Sequence, residues 1–182
     1  NEYQKLYSND GNSYDNFGKS VSISGDIIVI GSPGSDPEGR VRKGIFYSFI
    51  SNGITWNEES KIYSTDNNIR GENTFGLSIS ISGDIIVIGS PYSDINGNTN
   101  QGSAYVFIRN EITGLWNQHQ KLYSNDGNSN DYFGYSVSIS EDIILIGSYG
   151  SNINGNNNQG SVHVFIQNET TRLWNEYQKL YS

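Results

Sequence analysis

The sequence predicts an all-β protein built from three tandem four-stranded antiparallel repeats, each a blade of a β-propeller. Three observations support this prediction. The Phe-Gly and Gly-Ser landmarks of the units recur at a strict 58-residue period, helical periodicity is missing throughout, and the second apolar run of every unit is continuous, as in a strand buried on both faces. The period is set by one dipeptide, which recurs as Phe17-Gly18, Phe75-Gly76 and Phe133-Gly134.

The first half of each unit predicts a hairpin. From Lys19 to Ser24 the chain alternates Val21 and Ile23 with serines, which is the period-two pattern of a strand with unlike faces. Gly25 and Asp26 then supply a tight turn. The run from Ile27 to Ile30 is apolar at every position, so we expect a strand with a sheet packed on either side.

The second half of each unit predicts two further strands. In the second unit, Ser103 to Ile108 forms the third run. Its alternation places Ala104, Val106 and Ile108 on one face and the aromatic residues Tyr105 and Phe107 on the other. The fourth run, from Trp116 to Tyr123, is polar and mixed, as expected of an outer strand in partial contact with water. Tryptophan recurs at the start of this run as Trp56, Trp116 and Trp174, which we interpret as packing between blades.

The repeat phase predicts the blade boundaries. Residues 9–64, 65–124 and 125–182 form blades 1, 2 and 3, and residues 1–8 form a spare outer strand of a preceding or neighbouring blade. The eight residues NEYQKLYS stand at both ends of the sequence. Three blades are too few to close a ring, so we expect an excerpt of a longer propeller, a dimer closing a six-bladed ring, or a head-to-tail array. A β-sandwich is the alternative architecture, but it does not explain such uniform copies.

Composition narrows the classes of partner. The 182 residues carry a formal net charge of -8, which argues against nucleic acid or an anionic membrane as the main partner. Cysteine and methionine are absent, so disulfides, thiolate catalysis and cysteine-ligated metals are excluded. No apolar run approaches the roughly 18 residues that span a bilayer, so membrane insertion is not expected.

The landmarks of the repeat resemble a known family. After each Phe-Gly pair, the sequences Gly31-Ser32-Pro33 and Gly89-Ser90-Pro91 stand where the FG-GAP repeat has Gly-Ala-Pro, and the third copy departs from this pattern at Tyr149. The segments from Gly102 to Phe107 and from Trp116 to Leu122 resemble the bacterial-type version. The FG-GAP repeat is the blade unit of integrin alpha-subunit propellers, so the resemblance implies propeller blades in an extracellular or surface-exposed protein.

The resemblance also implies a function. We expect a non-catalytic propeller segment that acts in adhesion or as a structural protein-interaction scaffold, with self-assembly as an expected property. The alternative is a lectin-like binder with one shallow site per blade, in which tyrosines pack against sugars. Partners are then other copies of the chain or further blades, and a glycan or a protein ligand. No catalytic residues are predicted, because His119 and His163 occupy no repeated position and no nucleophile motif accompanies them.

Calcium is the one cofactor that the sequence leaves open. Integrin-type copies carry a D-x-D-x-D-G loop between their first two strands, whereas this chain has only three-residue turns there. Oxygen-bearing side chains alternate elsewhere, but turn formation is the favoured interpretation because Asn, Asp and Gly promote turns. The candidate ligands are Asp94, Asn96 and Asn98 in one loop, Asp10 and Asp15 in a second, and Asp126 and Asp131 in a third.

Two further features break the symmetry of the repeats. Arg40, Arg42 and Lys43 form a basic cluster in an acidic protein, which predicts contact with an anionic partner or an acidic loop of a neighbouring molecule; a solvated loop is the alternative. Asn168, in Asn168-Glu169-Thr170, is the one glycosylation sequon, and a secreted chain would carry a glycan on that surface turn.

Overall fold

The computed structural model describes residues 3–36, 43–64 and 75–182. Among these residues, twelve strands form three separate four-stranded sheets, which confirms the predicted all-β class. Sheet one contains β1 (Ser20–Ser24), β2 (Ile27–Ser32), β3 (Ile45–Ser51) and β4 (Trp56–Tyr63). Sheet two contains β5 (Ser78–Ser82), β6 (Ile85–Ser90), β7 (Ser103–Arg109) and β8 (Trp116–Leu122). Sheet three contains β9 (Ser136–Ser140), β10 (Ile143–Ser148), β11 (Ser161–Gln167) and β12 (Trp174–Leu180).

Each sheet is an antiparallel meander in which every strand pairs with the next along the chain. We call the three sheets blades 1, 2 and 3. The third and fourth strands of every blade share a register shift at the same place, after Ser48, Val106 and Val164. A shift of this kind increases the local twist of the outer hairpin. The three blades are therefore copies of one unit in their pairing as well as in their sequence.

The blades stack face to face through apolar clusters. One cluster joins blade 1 to blade 2 and a second joins blade 2 to blade 3. The alternation predicted for β7 is confirmed, because Tyr105 and Phe107 lie in the first cluster whereas Ala104 and Val106 lie in the second. The middle blade is thus buried on both faces.

The second strand shows what stacking contributes to burial. In β6 every residue after Ile85 is buried, as the continuous apolar run predicts. In β10, whose sequence is almost the same, burial alternates instead, and Ile143 and Leu145 are exposed. The sequence expectation of a doubly buried strand fails there because no described sheet covers that face of blade 3.

The hairpin between the first two strands has two central residues, as expected. The first of them has a positive φ in all three blades: 56° at Gly25, 55° at Gly83 and 53° at Glu141. Glycine adopts this region without steric cost, whereas a residue with a Cβ does not. Blade 3 therefore holds a glutamate where its two neighbours use glycine.

The N-terminal segment, which the repeat phase assigns to an outer strand of a preceding or neighbouring blade, lies beside blade 1. Residues 3–8 have no backbone ladder partner among the described residues. They are held by the side chain of Gln4, whose Nε2 donates to the Trp56 carbonyl at 2.9 Å and whose Oε1 accepts from the Trp56 N–H at 2.8 Å. Gln120 of β8 makes the same two bonds with Trp174, at 2.8 and 2.9 Å. The N-terminal segment therefore lies beside blade 1 as β8 lies beside blade 3.

Candidate interaction surface

The Phe-Gly landmark is a turn that inserts into the preceding blade. We call residues 14–18 and 130–134 the FG turns of blades 1 and 3. In the blade 3 turn, the N–H groups of Asn130, Tyr132 and Phe133 donate to the carbonyls of residues 99, 100 and 101 in blade 2, at 2.9, 3.1 and 2.8 Å. The Phe133 side chain is fully buried. The turn thus binds blade 2 through its backbone, while its aromatic ring packs in the apolar cluster that joins blades 2 and 3.

The receiving surface of blade 2 is shaped by two glycines. A Cβ at Gly89 would overlap the carbonyl oxygen of Gly134, and a Cβ at Gly102 would overlap that of Phe133. In blade 1, Gly31 stands in the same relation to Gly76. We call this receiving surface the slot. The Gly-Ser landmark of the sequence is conserved between the repeats because backbone passes against backbone there.

Serines of the first strand complete the contact between blades. The hydroxyl of Ser78 donates to the Gly134 carbonyl at 2.8 Å, and Ser80 Oγ accepts from the Ile139 N–H at 3.1 Å. Between blades 1 and 2, Ser20 and Ser22 make the corresponding bonds at 2.8 and 3.2 Å. These bonds satisfy N–H and C=O groups along the inner edge of the next blade, which would otherwise be an open edge strand.

Blade 3 carries the same slot, but no described residue fills it. The slot is an open groove of about 840 Å³, lined by residues 58 positions beyond those of the blade 2 slot, among them Ser136, Gly147, Gly160 and Val162. Within the described chain, the carbonyls of residues 157–159 accept no backbone hydrogen bond, unlike those of residues 99–101. The groove is therefore the candidate interaction surface.

A tyrosine cluster forms the rim of this groove. The rings of Tyr132 and Tyr149 are stacked at 5.0 Å with 5° between their planes, and Tyr135 meets Tyr149 edge-on at 4.6 Å. Partial burial raises the pKa of Tyr149. The departure of the third copy from the Gly-Ser-Pro pattern at Tyr149 therefore has a structural result, a half-exposed aromatic surface beside the groove.

The acidic candidates of the Asp-Gly-Asn-Ser loops lie in turns and ion pairs. One oxygen of Asp15 accepts from the Asn12 N–H at 2.8 Å, and Asp131 accepts from Asn128 at the same distance. The other two carboxylates are paired with lysines. Asp10 contacts Lys61, and Asp126 contacts Lys179 at 3.0 Å.

These pairings also set the pKa values of two carboxyl groups. The hydrogen bond from Lys61 is the main cause that lowers the pKa of Asp10, and the hydroxyl of Ser124 does the same for Asp126. Within residues 3–36, 43–64 and 75–182, no three His, Asp or Glu side chains converge as a metal site requires.

The third candidate loop is a closed turn of its own. Asp94 Oδ1 accepts from the Asn100 N–H at 2.9 Å, and the Asn98 side chain donates to Gln101 at 3.0 Å. Asn96 has a φ of 52°, a left-handed conformation that asparagine tolerates. The side chains of Asp94 and Asn98 thus help to shape the turn that carries the slot carbonyls.

Of the remaining candidates, Lys43 and Asn168 lie apart from the groove. Arg40 and Arg42 lie outside the described residues, and Lys43 is partly buried at the start of the strand-three hairpin. Asn168 is exposed, and its Oδ1 accepts from the N–H groups of Thr170 and Thr171 at 3.0 and 2.9 Å. Asn110 forms the same turn in blade 2. The predicted sequon therefore coincides with a repeated surface turn.

His163 is a buried ionisable group that the repeat pattern alone does not explain. It is fully buried against Phe133, with Nδ1 2.7 Å from Glu176 Oε1 and Nε2 3.3 Å from the hydroxyl of Ser161. Burial lowers the pKa of His163 despite the opposing effect of Glu176. Tyrosines 47 and 105 occupy this position in the other blades. The neutral imidazole therefore serves as a core residue beneath the FG turn.

The comparisons with known proteins agree with this geometry. The sequence model of a family described as FG-GAP repeat matches residues 1–49, 56–107 and 116–165. The chain belongs to the FG-GAP repeat family. Each match begins with the outer strand or segment of one blade and ends in the third strand of the next, so the FG-GAP sequence unit spans the junction between two blades. No curated protein matches the chain.

Solved structures show the propeller-like fold. Sqt1 from Chaetomium thermophilum superimposes with a TM-score of 0.55 at 13% identity, over 93% of this chain and 36% of that one. A europium-containing methanol dehydrogenase superimposes with a TM-score of 0.52 at 10% identity, over 88% of this chain and 24% of that one. At these identities the likeness concerns the fold alone, and the FG-GAP chain spans about a third or less of either protein. Within the described residues, no helix has the length and apolarity required to cross a membrane.

Proposed function

We propose that this FG-GAP chain is a non-catalytic protein-interaction scaffold that acts in adhesion or as a structural element. The observation that carries the proposal is the open slot of blade 3, with its glycine floor, carbonyl row and apolar surroundings. Repeats of this family form propeller-type interaction domains and are generally non-catalytic. The proposed location is outside the cell or on its surface, where FG-GAP repeats often occur.

The chemistry of the slot suits a polypeptide. A row of carbonyls binds the N–H groups of an extended or turning backbone, and the glycines allow that backbone to approach closely. Leu145, Val162 and Leu180 add exposed apolar surface around it. Contiguous apolar surface of this kind, bordered by polar groups, is typical of protein interaction sites.

Binding to intact cells tests the proposal. The fluorescently labelled chain is expected to bind surfaces that present its partner, and mild protease treatment of the cells should remove that binding whereas treatment with glycosidases should not. Retention after protease together with loss after glycosidases would contradict a protein partner and favour the second candidate. Chain denatured before labelling is the control for non-specific adsorption.

A lectin-like function is the second candidate, favoured by one repeated feature. Tyr63, Tyr123 and Tyr181 occupy one position in the three blades and are 46%, 37% and 56% exposed. Partly exposed tyrosines offer flat apolar faces with a polar edge, which suits sugar rings. We expect a glycan array to show binding that falls when all three are replaced by alanine. Replacement of exposed Tyr14, which lies outside the repeated position, is the matched control.

A further inference from the structure

We infer that the open slot of blade 3 binds the FG turn of blade 1 from a second copy, so that copies join head to tail. This inference rests on the proposed function, because it names the partner of the same surface. The junction between two copies would repeat the junctions that already join blade 1 to blade 2 and blade 2 to blade 3. Its Phe-Gly and serine contacts are therefore ones that the molecule already makes at both junctions.

The FG turn of blade 1 already has the docked conformation. Its φ angles at positions 14, 16 and 18 are 72°, 56° and 86°, and those of the docked blade 3 turn at positions 130, 132 and 134 are 67°, 56° and 91°. Each turn is held by its own blade, through Gly18 N–H to Gly31 in blade 1 and Gly134 N–H to Gly147 in blade 3, both at 3.1 Å. Because the turn is preorganised, little conformational entropy opposes its insertion.

The two outer faces of the molecule are complementary in apolar surface. On blade 1, Val21 and Ile23 are 65% and 61% exposed, whereas Ile79 and Ile81 at the same positions of blade 2 are 7% and 6% exposed. On blade 3, Leu145 and Leu180 are 40% and 44% exposed. The exposed face of blade 1 corresponds to the face that blades 2 and 3 bury against the blade before them. The exposed face of blade 3 corresponds to the face with which blades 1 and 2 cover the next blade.

The hydrogen-bonding groups are complementary as well. Ser136, Ser138 and Ser140 are exposed on blade 3, at the positions where Ser78, Ser80 and Ser82 bond to the next blade. On blade 1 of a second copy, the corresponding partners are the Gly18 carbonyl and the N–H groups of residues 23 and 25. The inner edge of blade 1 would thereby gain the serine partners that the inner edges of blades 2 and 3 already have.

The N-terminal segment competes for the same place. Residues 3–8 lie against β4 through Gln4, at the position that β12 of a docked copy would take through Gln178. Both glutamines belong to the same eight-residue sequence, NEYQKLYS. Each copy thus carries an intramolecular mimic of its partner's outer strand, and docking requires that the segment be displaced.

Sedimentation velocity of the full chain, from about 1 to 100 µM, is the primary test. Concentration-dependent association is expected. Gly147→Ala should weaken it at least about tenfold while the melting temperature stays close to that of the original chain, because inside the molecule the new methyl group meets only the Ser136 hydroxyl. Ile23→Asp should weaken association equally from the opposite face. It changes a residue that is already exposed.

Mixing these two variants tests the head-to-tail arrangement. Each variant alone should be monomeric, and a mixture should form complexes because the intact slot of one meets the intact FG turn of the other. A symmetric contact through one face would instead leave one of the variants able to associate with itself. That result would overturn the inference.

The two glutamines provide a matched pair with opposite expected effects. Gln4→Ala removes two hydrogen bonds of the competing segment and should strengthen association about tenfold, whereas Gln178→Ala should weaken it by a similar factor. A monomeric original chain with an associating Gln4→Ala variant supports the competition. If both remain monomeric at about 100 µM, the inference is overturned.

Cell binding separates this inference from the proposed function. Binding to protein on cells by a chain that stays monomeric would overturn the second-copy partner and leave the scaffold function standing. Self-association without any cell binding would support the inference and contradict the adhesive role.

Discussion

The two junctions between blades share their inner part and differ in their outer part. In both, the backbone of a Phe-Gly pair packs against glycines of the preceding blade, and serines of the first strand bond to the next blade. At the outer strands, the blade 1–2 junction uses an ion pair of Glu59 with Arg109, and Asp84 lies 3.7 Å from the same guanidinium. The blade 2–3 junction instead uses the amide of Gln120 on the Trp174 backbone.

This difference shows which contacts the repeat must preserve. The inner contacts join backbone to backbone, so only glycine and small hydroxyl side chains fit. The outer contacts join side chains across more open space, and Ser60, which stands at the position of Gln120, is too short to make the same bonds. Charged and amide side chains can therefore replace one another between the outer strands, whereas a slot glycine that faces a neighbouring backbone leaves no room for a Cβ.

Of the substitutions considered, Gly89→Ala should destabilise the inner contacts between blades most. We expect a loss of about 3 kcal/mol in the free energy of unfolding, because the added Cβ overlaps the Gly134 carbonyl of the neighbouring blade. Gly147→Ala, at the same position of blade 3, should cost less than about 1 kcal/mol, since only a serine hydroxyl must move. Urea denaturation of both variants measures the difference, and equal losses would contradict the backbone contact.

Arg109→Ala probes the difference between the outer parts. We expect a loss of about 2 kcal/mol, because Glu59 keeps its charge in a site where both side chains are only about 15% exposed. Gln120→Ala should cost about 1 to 2 kcal/mol at the other junction. The two are distinguished by salt. Raising ionic strength should shrink the Arg109→Ala effect and leave the Gln120→Ala effect unchanged; a salt-independent Arg109→Ala effect would argue against the ion pair.

Blade 3 also differs from blades 1 and 2 in the pH dependence that it gives to the stability of the protein. The pKa of buried His163 lies below its unfolded value of about 6.5, so the unfolded state binds more protons as pH falls and stability is lost. Between pH 7.5 and 5.5 this loss is at most about 1.4 kcal/mol. His163→Tyr, which restores the residue of blades 1 and 2, should abolish it. Parallel pH profiles of the melting temperature in both proteins would refute this assignment.

The smallest expected effect concerns the hairpin of blade 3. Glu141→Gly should stabilise the protein by about 0.5 kcal/mol, because glycine adopts the positive φ of 53° without a clash. The reverse change in blade 2, Gly83→Glu, should destabilise by a similar amount. Thermal melts of both variants check the sign, and destabilisation by Glu141→Gly would indicate that the glutamate side chain has a role of its own.

Periodicity predicts the elements of this fold well and the surfaces between them poorly. The alternation in β7 correctly assigned Tyr105 and Ala104 to opposite cores, because strand geometry fixes the side of each residue. The slot was not predicted, although its glycines were recognised as landmarks. A glycine in a sequence does not reveal which backbone approaches it.

Contacts that do not recur in every repeat could not be predicted from the sequence either. Arg109 and Glu59 are 50 residues apart and have no charged equivalents in the third copy, so no periodic signal links them. The exposure of Leu145 depends on what lies beside blade 3, which the local pattern of β10 cannot encode. The carboxylates of Asp15 and Asp131 accept backbone hydrogen bonds within their own loops, a contact that the local Asp-Gly-Asn-Ser sequence favours.

The serine contacts have a consequence for how such a protein changes in length. Ser20 bonds to Gly76 and Ser78 bonds to Gly134, each across 56 residues, so donor and acceptor lie in adjacent repeats and always in the same phase. A duplication or deletion of one whole repeat restores every one of these bonds at the new junction. Recombination between repeats can therefore change the copy number and keep these serine contacts without any compensating point mutation.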